Sequence, residues 1–534
     1  MSRDSDVVVI GSGINSLVAA AELALAGRSV TLIERNRTLG GFIDSGPRTV
    51  TGFVHDTYSS WHPLFVSSAA YGALGEELSA RGLRYRNTDE ALTAGVNSHG
   101  CAAIAYRDPE RTVAGFDQTS DADAYRTMLT ELHVHGPAVF GALGTELDRR
   151  GLAALAVSTI RSQRSATEDL VREALSSGRS FLQSRFSGSE TDRLWSPWLL
   201  HAGLTPDSAT GGVMLPVMAG TMHQFGLPVV EGGARNFVNA FHRILADHGT
   251  QMVLGDAATE IVIADGRAVA VRTANEEYRA GLGVVASVTP QALYTQLLAP
   301  GTVDERTRAA ARSYRFGRGA MQIHLALDTP VPWDDARLGA VPLIHLTAGA
   351  ASIAVACAEA SAGLLPRRPT VVIGQQCVLD PSRAPAGKAT LWIQLQEVPY
   401  TPVGDAAAQI DTSDGWTEQV RTAYADRVIA QIAELATGFE RTILGRDIIA
   451  PTDLEAHNHN AVGGDPYCGS AEIDQNLRWR PITSHGRHRT DIDGLWHIGA
   501  ATHPGPGLGG GSGHLVARQI ISGGSRRRLR RLLP

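Results

Sequence analysis

The sequence predicts an α/β protein that opens with a Rossmann-type nucleotide-binding unit. Three observations predict this class. The chain begins with a strand–helix–strand pattern, a glycine motif joins its first strand to the helix, and a second glycine-rich turn precedes a helix near the carboxyl end. At roughly 100–200 residues per domain, the 534 residues are enough for several structural units.

The first strand, helix and second strand are predicted from local composition. Val7 to Ile10 is a short apolar run, as expected for a strand buried on both faces. Leu17 to Ala26 is rich in Ala and Leu, which favour a helix, and Gly27 is expected to end it. Ser29 to Ile33 predicts the second strand, which completes a βαβ unit.

The turn after the first strand has the chemistry of a pyrophosphate site. Gly11 permits the tight turn, and Gly13 lets backbone N–H groups at the positive helix end approach a phosphate. Glu34 stands 23 residues after Gly11, where a carboxylate can accept hydrogen bonds from an adenosine ribose. Ser16, a small residue, replaces the third glycine of G-x-G-x-x-G. The pattern favours a bound dinucleotide; an ordinary βα turn is the alternative.

The second glycine-rich turn lies between a predicted strand, Gly494 to Ala500, and a predicted helix, Ser512 to Ile521. Its stretch Gly505 to Gly510 also matches G-x-G-x-x-G, but neither a second strand nor an acidic residue follows at the required distance. We therefore do not predict a second dinucleotide fold. Backbone donors at this helix start suit a polar ligand edge instead, such as the electron-rich N1/O2 edge of an isoalloxazine ring.

Composition argues against several other classes. A net charge of −6 is unlike the basic surface that binds nucleic acid. The four cysteines are scattered without a C-x-x-C pair, so we predict no disulfide framework, no zinc site and a reducing compartment. The amino terminus lacks the features of a signal peptide, and no run approaches the ~20 apolar residues that span a bilayer. We expect a soluble, cytoplasmic protein.

Further blocks extend these motifs through nearly the whole chain: Gly40-Gly41, Gly52 to Asp56, Gly226 to Gly233, Asp380 to Gly387, Trp392 to Pro399, Asp474 to Pro481 and Gly499 to Gly505. With the N-terminal G-x-G-x-N motif, they resemble the FAD-dependent phytoene desaturase-like oxidoreductases. That family is a branch of the amine-oxidase-type flavoproteins and includes carotenoid desaturases and carotenoid and retinol isomerase or saturase relatives. The blocks are more similar to its less-characterised members than to the carotenoid enzymes.

The resemblance implies a discontinuous Rossmann-type FAD-binding domain with an inserted α+β substrate domain. The FAD-binding domain would comprise residues 1–80, 226–292 and 480–534, and the substrate domain residues 81–225 and 293–479. We expect the first insert to be largely helical. The patterns predict helices near 121–132, 168–176, 192–200 and 417–435, strands near 321–327 and 390–396, and a hairpin turn at Asp265-Gly266.

The predicted cofactor is FAD. By motif and resemblance, the residues expected to bind it are Gly11, Gly13, Ile14, Asn15, Glu34, Arg35, Gly40, Gly41, Ala258, Gly499, Ala500, Pro506, Gly507 and Leu508. The resemblance places the backbone of Ala258 near adenine, so this contact would not depend on the side chain.

Three residues are candidates for catalysis. His503 lies in the turn expected beside the flavin and could orient the ring, donate to a substrate or relay a proton; the alternative is that it only shapes the turn. His55 and Asp56 lie in a stretch that the family places along the flavin. Asp56 is a candidate base or an anchor for backbone amides. Trp61-His62-Pro63 is a candidate lining of the substrate mouth, or part of the core.

Two polar stretches could suggest a ligand, and for each the simpler interpretation is a solvent-exposed segment. His457 and His459 alternate as strand ligands would, but no third ligand is evident, so a polar loop is favoured and no metal is predicted. The arginine-rich stretch from Arg526 to Arg531 is expected to be a solvated, disordered end. A weak contact with an anionic membrane surface is the alternative.

The function that these features predict is an FAD-dependent dehydrogenase or desaturase. It would transfer hydride from an apolar, unsaturated or alicyclic substrate to flavin N5, and O2, a quinone or another acceptor would reoxidise the flavin. Isomerisation without net redox change, amine oxidation and a flavin-binding scaffold without turnover are the alternatives. The substrate itself is not predicted.

Overall fold

The computed structural model describes residues 3–146, 164–482 and 487–532. Their backbone forms two seven-stranded sheets with helices packed on both, which confirms the predicted α/β class.

The first sheet contains the predicted βαβ unit. Its parallel strands run in the order Leu495–His497, Glu277–Ala286, Arg3–Ile10, Val30–Glu34 and Gln251–Leu254. Ala258–Ala264 and Arg267–Thr273 form an antiparallel hairpin that extends this sheet. Its second strand pairs with the first residues of the Glu277–Ala286 strand, whereas Leu495–His497 pairs with the last ones. The turn of the hairpin has positive φ at Asp265 (49°) and Gly266 (73°), as a two-residue hairpin turn requires. The hairpin prediction is therefore confirmed.

The apolar run Val7 to Ile10 forms the centre of this sheet because both of its faces are covered. Val7 and Val9 pack on one side against the Ile14–Leu25 and Arg235–Asp247 helices. Val8 and Ile10 pack on the other side in a separate apolar cluster. This alternation across the strand accounts for the absence of polar residues in the run.

The second sheet is mostly antiparallel. Its strands run in the order Ile443–Ile449, Gly319–Leu327, Ala389–Val398, Val371–Gly374, Leu343–Leu346, Ala91–Val96 and Ala102–Tyr106. The described part of residues 81–225 is largely helical, as expected, and this segment also supplies the last two strands, which form an edge hairpin. Strands of the two sheets come from alternating parts of the chain; the domain limits stay predictions.

The helices surround the two sheets. Their bounds are Ile14–Leu25, Pro63–Val66, Ala69–Ala80, Pro109–Val113, Thr119–Gly144, Arg164–Leu175, Gly178–Arg185, Glu190–Trp195, Gly211–Phe225, Arg235–Asp247, Glu305–Arg312, Ala350–Ser361, Glu418–Ala433, Pro451–His457 and Gly511–Leu532. Three short two-stranded pairings complete the architecture: Ser45–Gly46 with His55–Asp56, Tyr85–Arg86 with Val229–Val230, and Leu364–Leu365 with Gly404–Asp405.

One predicted helical segment differs from the structure. The helix expected over 192–200 changes at Ser196 into a 3-10 helix, Ser196–Ala202, because Pro197 has no N–H to donate to the ladder. The carboxyl-terminal helix is assigned as Gly511–Leu532, and the expectation of a solvated, disordered end at its arginine-rich stretch is not tested by the described residues. The side chains of this stretch lie outside the described residues, so the membrane contact stays a prediction. No helix within the described ranges is long and apolar enough to cross a bilayer.

Candidate active site

The two glycine-rich turns meet in the structure, although they come from opposite ends of the chain. Ser512 Oγ donates to Asn15 Oδ1 at 2.8 Å and accepts a hydrogen bond from the Gly499 N–H at 3.0 Å. The two helices are in direct contact, because a Cβ on Gly513 would lie 1.9 Å from the Asn15 carbonyl oxygen. Asn15 and Ser512 therefore fix the two helix starts side by side.

Gly11 and Gly13 are glycines for different reasons. Gly11 has φ +89°, and a Cβ there would lie 3.2 Å from the Ser287 carbonyl, so the turn itself requires glycine. Gly13 has φ −64° and ψ 171°, which any residue adopts, and no described atom lies within 4 Å of the position of its Cβ. Folding alone does not require glycine at Gly13. The space that its missing side chain leaves is part of a cavity.

The start of the Ile14–Leu25 helix is an anion site by its electrostatics. Its cap residue, Gly13, has no side chain to accept the first helical N–H groups, and no acidic residue stands in the first turn. These N–H groups and the helix dipole favour a negative group in the adjoining cavity.

Glu34 is held at the end of its strand, where its carboxylate borders the same cavity. One oxygen accepts from Ser12 Oγ at 2.7 Å, and the other accepts from the Asn36 N–H at 2.8 Å. These bonds fix the carboxylate while its remaining lone pairs stay available to a diol. Arg35 and Ala258 line the same region. Asn36 and Ser12 were not predicted, although their places beside the acid and the first glycine are visible in the sequence.

Two adjoining cavities follow these elements. A cleft of about 790 Å³ borders Gly11, Glu34 and Ala258, and a second cavity of about 270 Å³ borders Gly499, Gly507 and both helix starts. The cavities share part of their walls, namely Gly13, Gly41, Ser287, Asn458 and Asn460. Of the predicted cofactor-binding residues, Pro506 alone lines neither.

These features fit FAD. The open space at Gly13 beside uncapped N–H groups suits the pyrophosphate, and the fixed carboxylate of Glu34 suits the ribose. The residues that would hold the cofactor are those of the shared wall, Gly11, Glu34, Arg35 and Ala258 of the larger cleft, and Ile14, Asn15, Gly40, Gly499, Ala500, Gly507 and Leu508 of the smaller cavity.

His503 does not border either cavity. Its Nε2–H donates to the Ala142 carbonyl at 2.9 Å, and its own carbonyl accepts from His488 Nε2 at 2.7 Å. Burial lowers the pKa of His503 to about 4, so the ring is neutral at neutral pH. The geometry favours the interpretation that His503 shapes the turn, because its ring faces the Thr119–Gly144 helix rather than the cavity.

Asp56 is a buried anchor in this geometry rather than a base. Oδ1 accepts from the Ala234 N–H at 2.7 Å, at the start of the Arg235–Asp247 helix. Oδ2 accepts from Ser60 Oγ at 2.5 Å and pairs with the Arg383 guanidinium at 2.7 Å. Arg383 also pairs with Asp380 at 3.1 Å. Both oxygens are occupied and the side chain is fully buried, and Asp56 itself borders neither cavity.

Of the remaining candidate residues, some border a cavity and others do not. His55 shares a 2.8 Å hydrogen bond with Thr49, and burial lowers its pKa to about 4; it borders neither cavity. Trp61 lines the smaller cavity, whereas His62 faces Tyr85. His457 and His459 line the larger cleft, and within the described ranges no cluster of metal ligands occurs.

Sequence reasoning missed most of the smaller cavity's wall. Its apolar part consists of Trp61, Leu64, Trp198, Met218, Met222, Trp392 and Leu454. Among the described residues that line it, none is an Asp, Glu, Lys or Arg. Burial raises the pKa values of Tyr58 and Cys468 to about 12, so these groups are also neutral. The wall comes from separate helices, loops and the second sheet, and no local motif marks it.

Fold and site together define a dinucleotide-dependent α/β oxidoreductase with an apolar reaction cavity. The family model for flavin-containing amine oxidoreductases matches residues 17–444. The chain therefore belongs to the flavin-containing amine oxidoreductase family, and it is an FAD-dependent oxidoreductase.

Individual relatives agree with this assignment. The chain is 26% identical to rat pyridine nucleotide-disulfide oxidoreductase domain-containing protein 2, over 97% of this chain and 94% of that one. It is 24% identical to one of the limonene dehydrogenase subunits of Castellaniella defragrans (97% and 94% covered) and 23% identical to a lycopene-forming phytoene desaturase of Pseudescherichia vulneris (94% and 96%). These relatives confirm the desaturase-like resemblance.

Solved structures share the fold. An oxidoreductase from Methanosarcina mazei superposes with a TM-score of 0.63 at 16% identity, over 96% of this chain and 99% of that one. A putrescine oxidase bound to putrescine superposes with a TM-score of 0.62 at 15% identity, over 98% and 100%.

Proposed function

We propose that this enzyme dehydrogenates a neutral, apolar substrate with unsaturated or alicyclic carbon. The observation that carries the proposal is the uncharged, tryptophan-rich wall of the smaller cavity, which adjoins the predicted flavin cleft. A cationic amine would lose its hydration in this cavity without gaining a carboxylate partner from the described lining residues. Two relatives are named for limonene and phytoene, which are both unsaturated hydrocarbons.

FAD, held by the residues named above, would supply the two-electron acceptor for a hydride, and the second hydrogen would leave the substrate as a proton that passes to bulk solvent outside the cavity. The protein positions the reacting carbon and excludes water from it. Trp198 and Trp392 are nearly fully buried, at 4% exposed each, and so form a rigid wall that holds an apolar ring by contact area. O2, a quinone or another acceptor would then remove the electrons.

The test begins with the absorption spectrum of the purified protein. We expect a flavin spectrum, and under anaerobic conditions we expect limonene or phytoene, but not cyclohexylamine, to bleach it. The product should lack two hydrogens by mass. Bleaching by the amine alone would overturn the assignment of an apolar substrate. A product of unchanged mass would indicate isomerisation, and bound flavin that no substrate bleaches would indicate a scaffold.

A variant pair locates the chemistry in this cavity. Trp392→Ala should weaken binding of the apolar substrate by removing contact area, while FAD remains bound. Trp416→Phe is the matched control, because Trp416 lies in the core of the second sheet and does not border the cavity. Equal effects of the two changes on substrate binding would contradict the proposed cavity.

A further inference from the structure

Two histidines form a pair in the wall of the smaller cavity, apart from the predicted cofactor-binding and catalytic residues. His201 stands in the 3-10 helix Ser196–Ala202 and lines the cavity. His345 lies behind it in the Leu343–Leu346 strand and is fully buried. Their Nε2 atoms are 3.0 Å apart, which is a hydrogen bond.

Both rings are neutral. Burial alone lowers the pKa of His201 to about 3, and burial together with His201 places the pKa of His345 well below its usual value. A neutral imidazole carries one N–H and one bare nitrogen, so within the pair one ring donates and the other accepts.

The surroundings of His345 decide which ring donates. Its Nδ1 is buried and has no hydrogen-bonding partner among the described residues. If His345 accepted, its Nδ1 would carry a proton, and a buried N–H without an acceptor is costly and rare. If His345 donates from Nε2, its Nδ1 is a bare nitrogen. An unbonded acceptor nitrogen costs less free energy than a buried N–H without an acceptor. His345 therefore donates, and His201 carries its proton on Nδ1.

The orientation of His201 is fixed as well. Its ring stacks on Trp198 with centroids 4.6 Å apart, and it meets His345 edge to face at 5.3 Å. No described residue bonds to Nδ1 of His201, and the ring borders the cavity. The cavity therefore has a preorganised hydrogen-bond donor in a largely apolar wall.

We propose that His201 Nδ1–H binds an oxygen acceptor on the substrate, which makes the preferred substrate an oxygenated alicyclic or isoprenoid molecule, an alcohol or a ketone, rather than a plain hydrocarbon. His345 is a positioning residue that sets the tautomer of His201. This inference rests on the proposed function and narrows its substrate class. A fixed donor in a largely apolar part of the wall discriminates between ligands, because a ligand without the acceptor leaves the donor unpaired.

The experiment compares ligands that differ only in the oxygen. Limonene and carveol, its ring-hydroxylated derivative, are titrated into the FAD-loaded enzyme, and the shift of the flavin spectrum gives Kd. We expect carveol to bind roughly 2- to 13-fold more tightly than limonene, as one neutral hydrogen bond predicts. His201→Phe, which keeps the ring shape, should remove most of this preference by weakening carveol alone.

Variants of His345 separate positioning from simple packing. His345→Leu should reduce the carveol preference several-fold, and His345→Gln, whose amide can donate to His201 Nε2, should restore much of it. The surface variant His248→Phe controls for the loss of a histidine. Retained flavin content and an unchanged melting temperature establish that each variant is folded; if His201→Phe does not fold, His201→Leu, which also lacks a donor, replaces it.

The outcomes distinguish this inference from the proposed function. Equal affinity of the wild-type enzyme for limonene and carveol overturns the inference and leaves the apolar substrate class intact. Equal weakening of both ligands by His201→Phe also overturns it, because the ring would then act by contact area. If neither ligand perturbs the flavin spectrum, the proposed function itself is wrong.

Discussion

A side chain placed on Gly13 should separate cofactor binding from folding. The backbone there already has the dihedral angles of an ordinary residue, φ −64° and ψ 171°, and no described atom would touch the new Cβ within 4 Å. Gly13→Val should therefore lower the free energy of unfolding of the apo-protein by only about 1 kcal/mol, the order of magnitude of a poorer N-cap residue. The same side chain would enter the space assigned to the pyrophosphate.

The cost to FAD binding follows from the hydrogen bonds that the new side chain would displace. A Cβ projects about 1.5 Å from the backbone, enough to move a phosphate out of hydrogen-bonding distance of the helix start. A charge-assisted hydrogen bond contributes about 1.5–3 kcal/mol, and each 1.4 kcal/mol is a tenfold change in Kd. Losing one or two such bonds should weaken FAD binding roughly 100-fold.

Two other glycine variants are controls for the effect of Gly13→Val on FAD binding and stability. Gly72→Ala lies in the Ala69–Ala80 helix with no described atom near its Cβ, and it should leave FAD binding unchanged. Gly11→Ala should instead destabilise the fold, because its φ is +89° and its Cβ would crowd Ser287. FAD content by absorbance, Kd by titration of the apo-protein and thermal unfolding are the assays. Full FAD retention by Gly13→Val, or unfolding of its apo form, would refute the assignment.

Three further predictions concern the buried polar groups. Asp56→Asn should lower the free energy of unfolding by about 1.5–3 kcal/mol, because Arg383 loses one of its two carboxylate partners and keeps Asp380; a change below about 0.5 kcal/mol in denaturant unfolding would contradict the anchor. His503→Gln should reduce kcat less than 10-fold and lower the melting temperature, because the His503 ring bonds to Ala142. A 10²- to 10⁴-fold loss of kcat would instead indicate that His503 acts as an acid or base. Burial lowers the pKa of His62 to about 3, whereas the unfolded residue takes up a proton near pH 6.5, so acidification through this window favours unfolding. His62→Gln should flatten the pH dependence of the unfolding free energy between pH 6 and 4 by about 1.4 kcal/mol per pH unit, and an unchanged slope would contradict the neutral, buried ring.

The βαβ unit and the two glycine turns could be predicted because their causes are local. An apolar run, a tight turn and an acid at the strand end are written in neighbouring residues, and the backbone follows from steric limits and periodicity. The failure of one helix prediction also has a local cause, Pro197 at the change to a 3-10 helix. The strand Ala91–Val96 was missed because its partner in the sheet lies some 250 residues further along the chain, and Ala102–Tyr106 was missed with it because, among the described strands, it pairs only with Ala91–Val96.

The direction of individual side chains could not be predicted in the same way. His503 stands beside the expected flavin turn in sequence, yet its ring bonds to Ala142, 361 residues away. Asp56 has the chemistry of a base, yet its oxygens are taken up by Ala234 and Arg383. Each outcome depends on which distant group satisfies a buried polar atom, and burial makes that requirement strong.

The sequence by itself determined the nucleotide-binding unit, the family and the cofactor, since these depend on short motifs whose backbone geometry is locally encoded. Only the tertiary structure decided that Trp198, His201 and Trp392 enclose one uncharged cavity. The physical reason is that a cavity wall is assembled by long-range packing between elements far apart in the chain, and no short stretch of sequence records which faces will meet.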